Sequence, residues 1–229
     1  YPTDLVGRYS ARPATGYYYG VDTALFAPVD ARQRSVLRQR HDLPEDRFLI
    51  FFASRVSHEK DPETALLATA RARESGLNAV LLNLGGGFED FLALARQLGL
   101  TDAARWVIGR PAVHPMENLC EFFQAADLVV QSSLEEGAGM SPLEALACGT
   151  PVVATNVGGL AAQLTPYAYL TPRRDANAMA DAILWVSRNR GAARTQAEKG
   201  RAFVESTWRK ERAFGELMNV LEEASGRSS

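Results

Sequence analysis

The sequence predicts an α/β fold built on a doubly wound parallel sheet of about six strands. Short apolar runs of strand length recur from residue 48 onward, and most are followed by a helical pattern. The runs are apolar on both faces, as in Phe48–Ser54 and Ala79–Leu84, which is how strands read when helices cover the sheet on either side. The chain has 229 residues, 46% hydrophobic and 23% charged, which suffices for one α/β domain with a full core. Ligands of such Rossmann-like sheets bind outside the carboxyl ends of the strands. The residues just after each strand are therefore the ones to read for function.

Residues 1–45 stand outside the alternation. They hold four prolines and a loop-like cluster, Gly16–Asp22, and are expected to form a linker and an entry helix around Ala31–Arg40. Residues 46–205 form the expected binding domain. It runs strand Phe48–Ser54, helix Thr64–Ser75, strand Ala79–Leu84 and amphipathic helix Glu89–Leu98, with Phe91, Leu94, Ala95 and Leu98 on one face. Strand Arg105–Ile108, helix Met116–Ala125 and strand Asp127–Val130 follow. Helix Pro142–Ala147 is closed by Gly149, with Pro151 beyond it. Strands Val152–Ala154 and Ala168–Leu170 complete the sheet, and helices Ala176–Arg188 and Ala192–Phe203 come next. Residues 206–229 are expected to carry a last helix, Lys210–Ala224, and a frayed tail.

A net charge of -2 argues against a nucleic-acid-binding face. No apolar run approaches the roughly 18–20 residues of a membrane span, and no targeting signal opens the sequence. Cys120 and Cys148, both in expected helices, read as buried thiols of a reducing, cytoplasmic compartment. His41, His58 and His114 read as surface residues without a catalytic role. The first residue is Tyr1 rather than Met, so the chain is expected to be cut from a longer one.

Arg55 leaves the first strand and Lys60 follows five residues later, before Pro62, a residue suited to opening a helix. Two cations at the carboxyl edge of a parallel sheet either receive phosphate or are solvated surface charges. Gly85-Gly86-Gly87 after the second strand is either an anion-cradling turn or a tight connection. It departs from a dinucleotide fingerprint at Asp90, which argues against a dehydrogenase. The richest segment follows the fourth strand. Glu136 sits in a loop with Gly137 and Gly139, which bring backbone amides to a helix start. Glu144 lies inside that helix among Leu143, Ala145, Leu146, Ala147 and Cys148, where burial is costly unless a polar group meets it.

The segment from Glu136 to Ala154 resembles the signature of family-four retaining glycosyltransferases: Glu-Gly-Phe-Gly, a spacer, then Glu-Ala-x-Ala-x-Gly-x-Pro-Val, with seven residues between the two glutamates. Arg55 and Lys60 resemble the family's Gly-Arg-Leu-x-x-x-Lys pair, and Gly20-Val21-Asp22 with Phe26 its interdomain segment. Gly109, Ala126-Asp127 and the late helix beginning near Trp208 also fit, so the likeness spans roughly residues 16–222. Ala138 replaces the signature phenylalanine, Ser54 the glycine before the arginine, Tyr18-Tyr19 a Pro-Asn, and Asp61 a glycine.

The resemblance implies the donor-binding half of a two-domain GT-B enzyme that transfers sugar from a UDP- or GDP-linked donor, with retention and without metal or other cofactor. Arg55 and Lys60 would clamp the diphosphate, and Glu136 would meet the sugar. Glu144 would hold the ribose, and the amides of Gly139, Met140 and Ser141 would face sugar or phosphate. Backbone at Ile108, Gly109 and Arg110 would receive the base. The N-terminal domain, expected outside this chain, would hold a carbohydrate or lipid acceptor and make any peripheral membrane contact. The last helix, with Trp208, Phe214, Leu217, Met218 and Leu221, would pack toward that domain, and Tyr17, Tyr18 and Tyr19 would wall the cleft. Alternatives are a stand-alone nucleotide-sugar-binding module, a GT-B nucleotide-sugar isomerase and a two-carboxylate hydrolase. The spacing of the glutamates disfavours the hydrolase, since one lies in a loop and the other along a helix.

Overall fold

The computed structural model describes residues 19–225, apart from residue 86 and residues 112–115. Gly16, Tyr17, Tyr18, Gly86 and His114 therefore lie outside the described residues. Helix α1 (Ala31–Arg40) opens with a reciprocal cap between Asp30 and Gln33. Strand β1 (Phe48–Phe52) leads to α2 (Pro62–Glu74), β2 (Ala79–Leu84), α3 (Phe88–Gln97) and β3 (Val107–Arg110). Next come α4 (Met116–Ala125), β4 (Leu128–Gln131), α5 (Met140–Ala147), β5 (Val152–Thr155), α6 (Gly158–Leu164) and β6 (Tyr169–Thr171). Helices α7 (Ala176–Arg188), α8 (Arg190–Thr207) and α9 (Lys210–Ala224) complete the chain.

All six strands are parallel, in the order β3-β2-β1-β4-β5-β6. Strand order reverses between β1 and β4, which makes the mouth between them the expected ligand crevice. Alternate residues of each strand feed two cores. Phe48, Ile50 and Phe52 pack against α2, α3 and α7, while Leu49 and Phe51 join α4, α5 and α6 on the opposite face. Burial on both faces is why these strands read as unbroken apolar runs.

Several boundaries differ from the sequence expectation. The third strand starts at Val107, because Ala103–Arg105 form a single 3₁₀ turn in which Trp106 Nε1 donates to Asp102 at 3.1 Å. The last strand is Tyr169–Thr171, and α8 extends to Thr207. Helix α6 was not expected; it opens on two glycines, residues of low helix propensity. His41 is half-buried rather than on the surface: it bridges to Glu121 and its ring lies 4.3 Å from that of Phe122.

Candidate functional site

The fold converts two sequence neighbourhoods into one surface. The loop after β1 delivers Arg55, Glu59 and Lys60, and the loop after β4 delivers Glu135, Glu136 and Gly137. With the ends of β5 and β6 they line a cleft of about 1240 Å³ at the carboxyl edge of the sheet. Lys60 is oriented by a local device. Asp61 adopts a left-handed conformation with φ of 45°, and its side chain caps α2 through the amide of Thr64 at 3.3 Å. The position that the family resemblance associates with glycine thus needs a positive φ, which aspartate tolerates while supplying the cap. Ser132 Oγ lies within hydrogen-bonding distance of the Lys60 and Asp61 carbonyls, at 2.9 and 2.7 Å, which ties this turn to the end of β4.

Lys60 and Glu136 form an ion pair with each other. The same Glu136 oxygen accepts from Gln131 Nε2 and Ser133 Oγ, both at 3.3 Å. Arg55 is largely exposed and pairs with Glu59 at 3.0 Å. The Glu59 carboxyl is held below its usual range by its own backbone amide first, then by Ser57 and the neighbouring cations. Arg173, at the end of β6, also lines the cleft and has no side-chain hydrogen bond or ion pair among the described residues.

Sequence reasoning did not single out Gln131, Ser133 or Arg173. A usable signal was the polar run Gln131-Ser132-Ser133 directly behind the apolar Leu128-Val129-Val130. It also passed over Gly158-Gly159. The Gly159 amide donates to the Glu136 carbonyl at 2.9 Å, and a Cβ on Gly159 would stand 1.7 Å from the Gly137 carbonyl oxygen. Only glycine lets α6 approach the glutamate loop this closely.

Other expected contacts are arranged differently. The Gly139 amide is already used by Gln163 Oε1 at 3.2 Å. The amides of Met140 and Ser141, in the first turn of α5, have no hydrogen-bond partner among the described residues. The Ser141 hydroxyl donates to the Ala53 carbonyl at 3.0 Å, which fixes α5 beside the end of β1. Glu144 lies one turn farther along α5. Its carboxyl finds no partner among the described residues, and burial raises its pKa to about 7. Gly109 and Arg110 are the last residues of β3. The Arg110 carbonyl accepts from the Gly85 amide at 3.2 Å, and its guanidinium donates to the Asp42 carbonyl at 3.3 Å. The structure therefore brings Arg55, Lys60 and Glu136 into one cleft and sets Glu144, Gly139, Met140, Ser141, Gly109 and Arg110 outside its lining.

Among the described residues no group of three or more His, Cys, Asp or Glu side chains is placed to hold a metal ion. No helix of the described residues is long and apolar enough to cross a membrane.

These features define a class of α/β protein: a doubly wound parallel sheet whose switch-point edge carries a charged cleft. The chain belongs to the glycosyltransferase family described as glycosyl transferases group 1, whose profile matches residues 33–203. It is 36% identical over 173 residues to the D-inositol 3-phosphate glycosyltransferase of Salinispora tropica, covering 69% of this chain and 35% of that protein. The enzyme of that name from Kribbella flavida is 34% identical over 217 residues, 88% of this chain and 49% of its own length. The chain thus spans about a third to a half of these relatives. Sucrose-phosphate synthase from Thermosynechococcus elongatus matches with a TM-score of 0.82 at 27% identity, over 99% of this chain and 57% of that one. Anabaena HepE in complex with UDP-glucose matches with a TM-score of 0.79 at 22% identity, over 90% and 57%. The C-terminal domain of LpcC from Francisella tularensis matches at 0.72 and 20%, over 83% of this chain and 99% of that one. The last two likenesses concern the fold alone, and the architecture is that of one Rossmann-like half of a GT-B glycosyltransferase.

Proposed function

We propose that this chain binds the nucleotide diphosphate sugar for a retaining sugar transfer, and that residues 46–205 are the binding unit. The observation that carries this reading is the convergence of Arg55, Lys60 and Glu136 on one cleft. Arg55 and Lys60 receive the diphosphate and stabilise the charge that develops as it leaves. A cation about 4 Å from a phosphate oxygen contributes on the order of 4 kcal/mol at an effective dielectric near 20. Lys60 reaches the phosphate by turning some of its donors from Glu136, whose carboxylate then faces the donor sugar. Glu144 takes the ribose hydroxyls, which supply the polar partner that its carboxyl otherwise lacks. The free amides of Met140 and Ser141 point to the same ligand. Gly109 and Arg110 border the base, and the Arg110 carbonyl, which already accepts from Gly85, has a second lone pair for it. The donor is UDP- or GDP-linked.

The acceptor is held by a further domain, in keeping with the share of the relatives that the chain spans. Helix α9 supports this, because Phe214 is 61% and Leu221 52% exposed on its surface. Trp208, grouped with that face on sequence, is half-buried and packs instead against the chain's own core. Cys120 and Cys148 are buried and not joined in a disulfide, which suits a cytoplasmic setting.

The test is calorimetry of the chain against UDP- and GDP-sugars, repeated on Arg55→Ala and Lys60→Ala. Loss of diphosphate affinity in the variants is expected; unchanged affinity in both would sink the phosphate assignment. Mixed with a nucleotide sugar and a panel of acceptors, the chain alone is expected to bind without transferring. Acceptor-dependent turnover on the order of 1 per second would show that this half suffices.

A further inference from the structure

Resting on the assignment of Glu136 to the donor sugar, we propose that Gln131, locked by Ser54 and Ser133, is the positioning residue that keeps Glu136 in place when Lys60 turns to the diphosphate. The carboxylate is held through one atom. Glu136 Oε2 faces the Lys60 ammonium, Gln131 Nε2 and Ser133 Oγ, while Oε1 has no partner among the described residues. Saturating one oxygen sets the orientation of the group and leaves the other for a ligand hydroxyl.

Once phosphate binds, Lys60 divides its three donors and its charge between two anions. Glu136 is then held less firmly by its cationic partner and relies on donors that stay. Gln131 and Ser133 are such donors. They are 2% and 0% exposed, and both are anchored at the end of β4. The Gln131 amide is fixed end for end: Oε1 accepts from Ser54 Oγ at 3.1 Å, and Nε2 donates to Ser133 Oγ at 2.6 Å. The second Nε2 hydrogen then goes to the carboxylate. A flipped amide would turn an acceptor toward the Glu136 carboxylate, which has no proton to give, so the carboxylate selects this orientation while the two hydroxyls hold the amide in place. Ser54 stands where the family signature carries glycine, which has no hydroxyl to give. The lock therefore depends on a residue in which this chain departs from that signature. Neutral donors have a further advantage, since they hold a carboxylate without competing for the phosphate.

The test is the affinity added by the sugar, measured by calorimetry on the 229-residue chain. UDP is compared with UDP-glucose and GDP with GDP-mannose, and the pair showing the larger gain is used for the variants. Glu136→Gln is expected to remove most of the gain. Gln131→Met, similar in size but without a donor, is expected to lower it about tenfold, while affinity for the nucleotide alone stays within about twofold. In the Glu136→Gln background Gln131→Met should add nothing further. Should Gln131→Met fail to fold, Ser54→Ala, which removes only the lock, carries the same test with an expected loss of about threefold. Equal losses for nucleotide and nucleotide sugar, or additive losses in the double variant, would reduce Gln131 to a structural residue and overturn the proposal. If no sugar adds affinity, or Glu136→Gln leaves the gain intact, the Glu136 assignment itself fails and the proposal falls with it. If Glu136→Gln removes the gain and Gln131→Met does not, only the positioning role is lost.

Discussion

Each edge of the sheet sets a half-buried carboxylate against a cation, but the two pairs are built differently. At the amino edge, Asp127 accepts from Arg38 at 2.8 Å, from Arg34 at 3.3 Å and from the Leu49 amide at 2.8 Å. Arg38 also donates to the carbonyls of Ala125, Pro44 and Arg47. Both Asp127 oxygens are engaged, and the guanidinium is satisfied mainly by backbone. At the carboxyl edge, Lys60 has Glu136 as its partner, and Glu136 keeps one oxygen open toward a cleft. A closed pair of many fixed contacts joins α1, α4, β1 and β4. An open pair of few contacts can exchange partners when an anion arrives. Glu144 extends the series, since its half-buried carboxyl has no partner among the described residues.

Removing the cation of the closed pair should have the largest effect. Arg38→Met leaves half-buried Asp127 with weakened compensation, and the buried carbonyls that Arg38 served without a donor, and should cost about 2–4 kcal/mol in denaturant unfolding. A loss below about 1 kcal/mol would mean that this pair is no more structural than an exposed one.

Glu144 should come next, through pH. Its folded pKa, about 7, lies above the ordinary 4.5. The folded state therefore holds a proton that the unfolded state releases, and stability should fall as pH rises from about 4.5 to about 7, by on the order of 3 kcal/mol. Glu144→Gln, measured by unfolding across that range, should flatten this contribution. An unchanged pH profile would show that the carboxyl is better solvated than its surroundings suggest.

Lys60→Ala should separate the two edges most clearly. Nucleoside diphosphate affinity should drop by about 1.5–3 kcal/mol, while the unfolding midpoint moves far less than in Arg38→Met. A large stability loss with intact binding would reverse the roles assigned to the two pairs. The smallest change is expected from Glu59→Gln, which frees the exposed Arg55. Diphosphate affinity should stay level or rise by no more than about twofold, and a marked fall would make Glu59 a ligand contact.

Much of this protein was legible in its sequence. Strands buried on both faces read as near-continuous apolar runs, so β1 and β2, broken only by Asn83, are visible. Asp30 and Asp175 cap α1 and α7 through contacts only three residues away, so those helix starts are local facts. The Glu136–Glu144 segment and the Arg55–Lys60 spacing likewise reveal a charged loop at the end of each strand. Tertiary structure decided the rest. Glycines that disfavour a helix start α6 because only they fit against the Glu136 and Gly137 carbonyls. The Gly139 amide is closed by Gln163, and Trp208 packs against the core rather than joining the face of α9. Lys60 meets Glu136 across 76 residues because strand order sets β1 beside β4. Periodicity and caps record what a residue's near neighbours impose. Which loops share an edge, and which oxygen of Glu136 is left open, depends on strand order and on contacts between residues far apart in the chain.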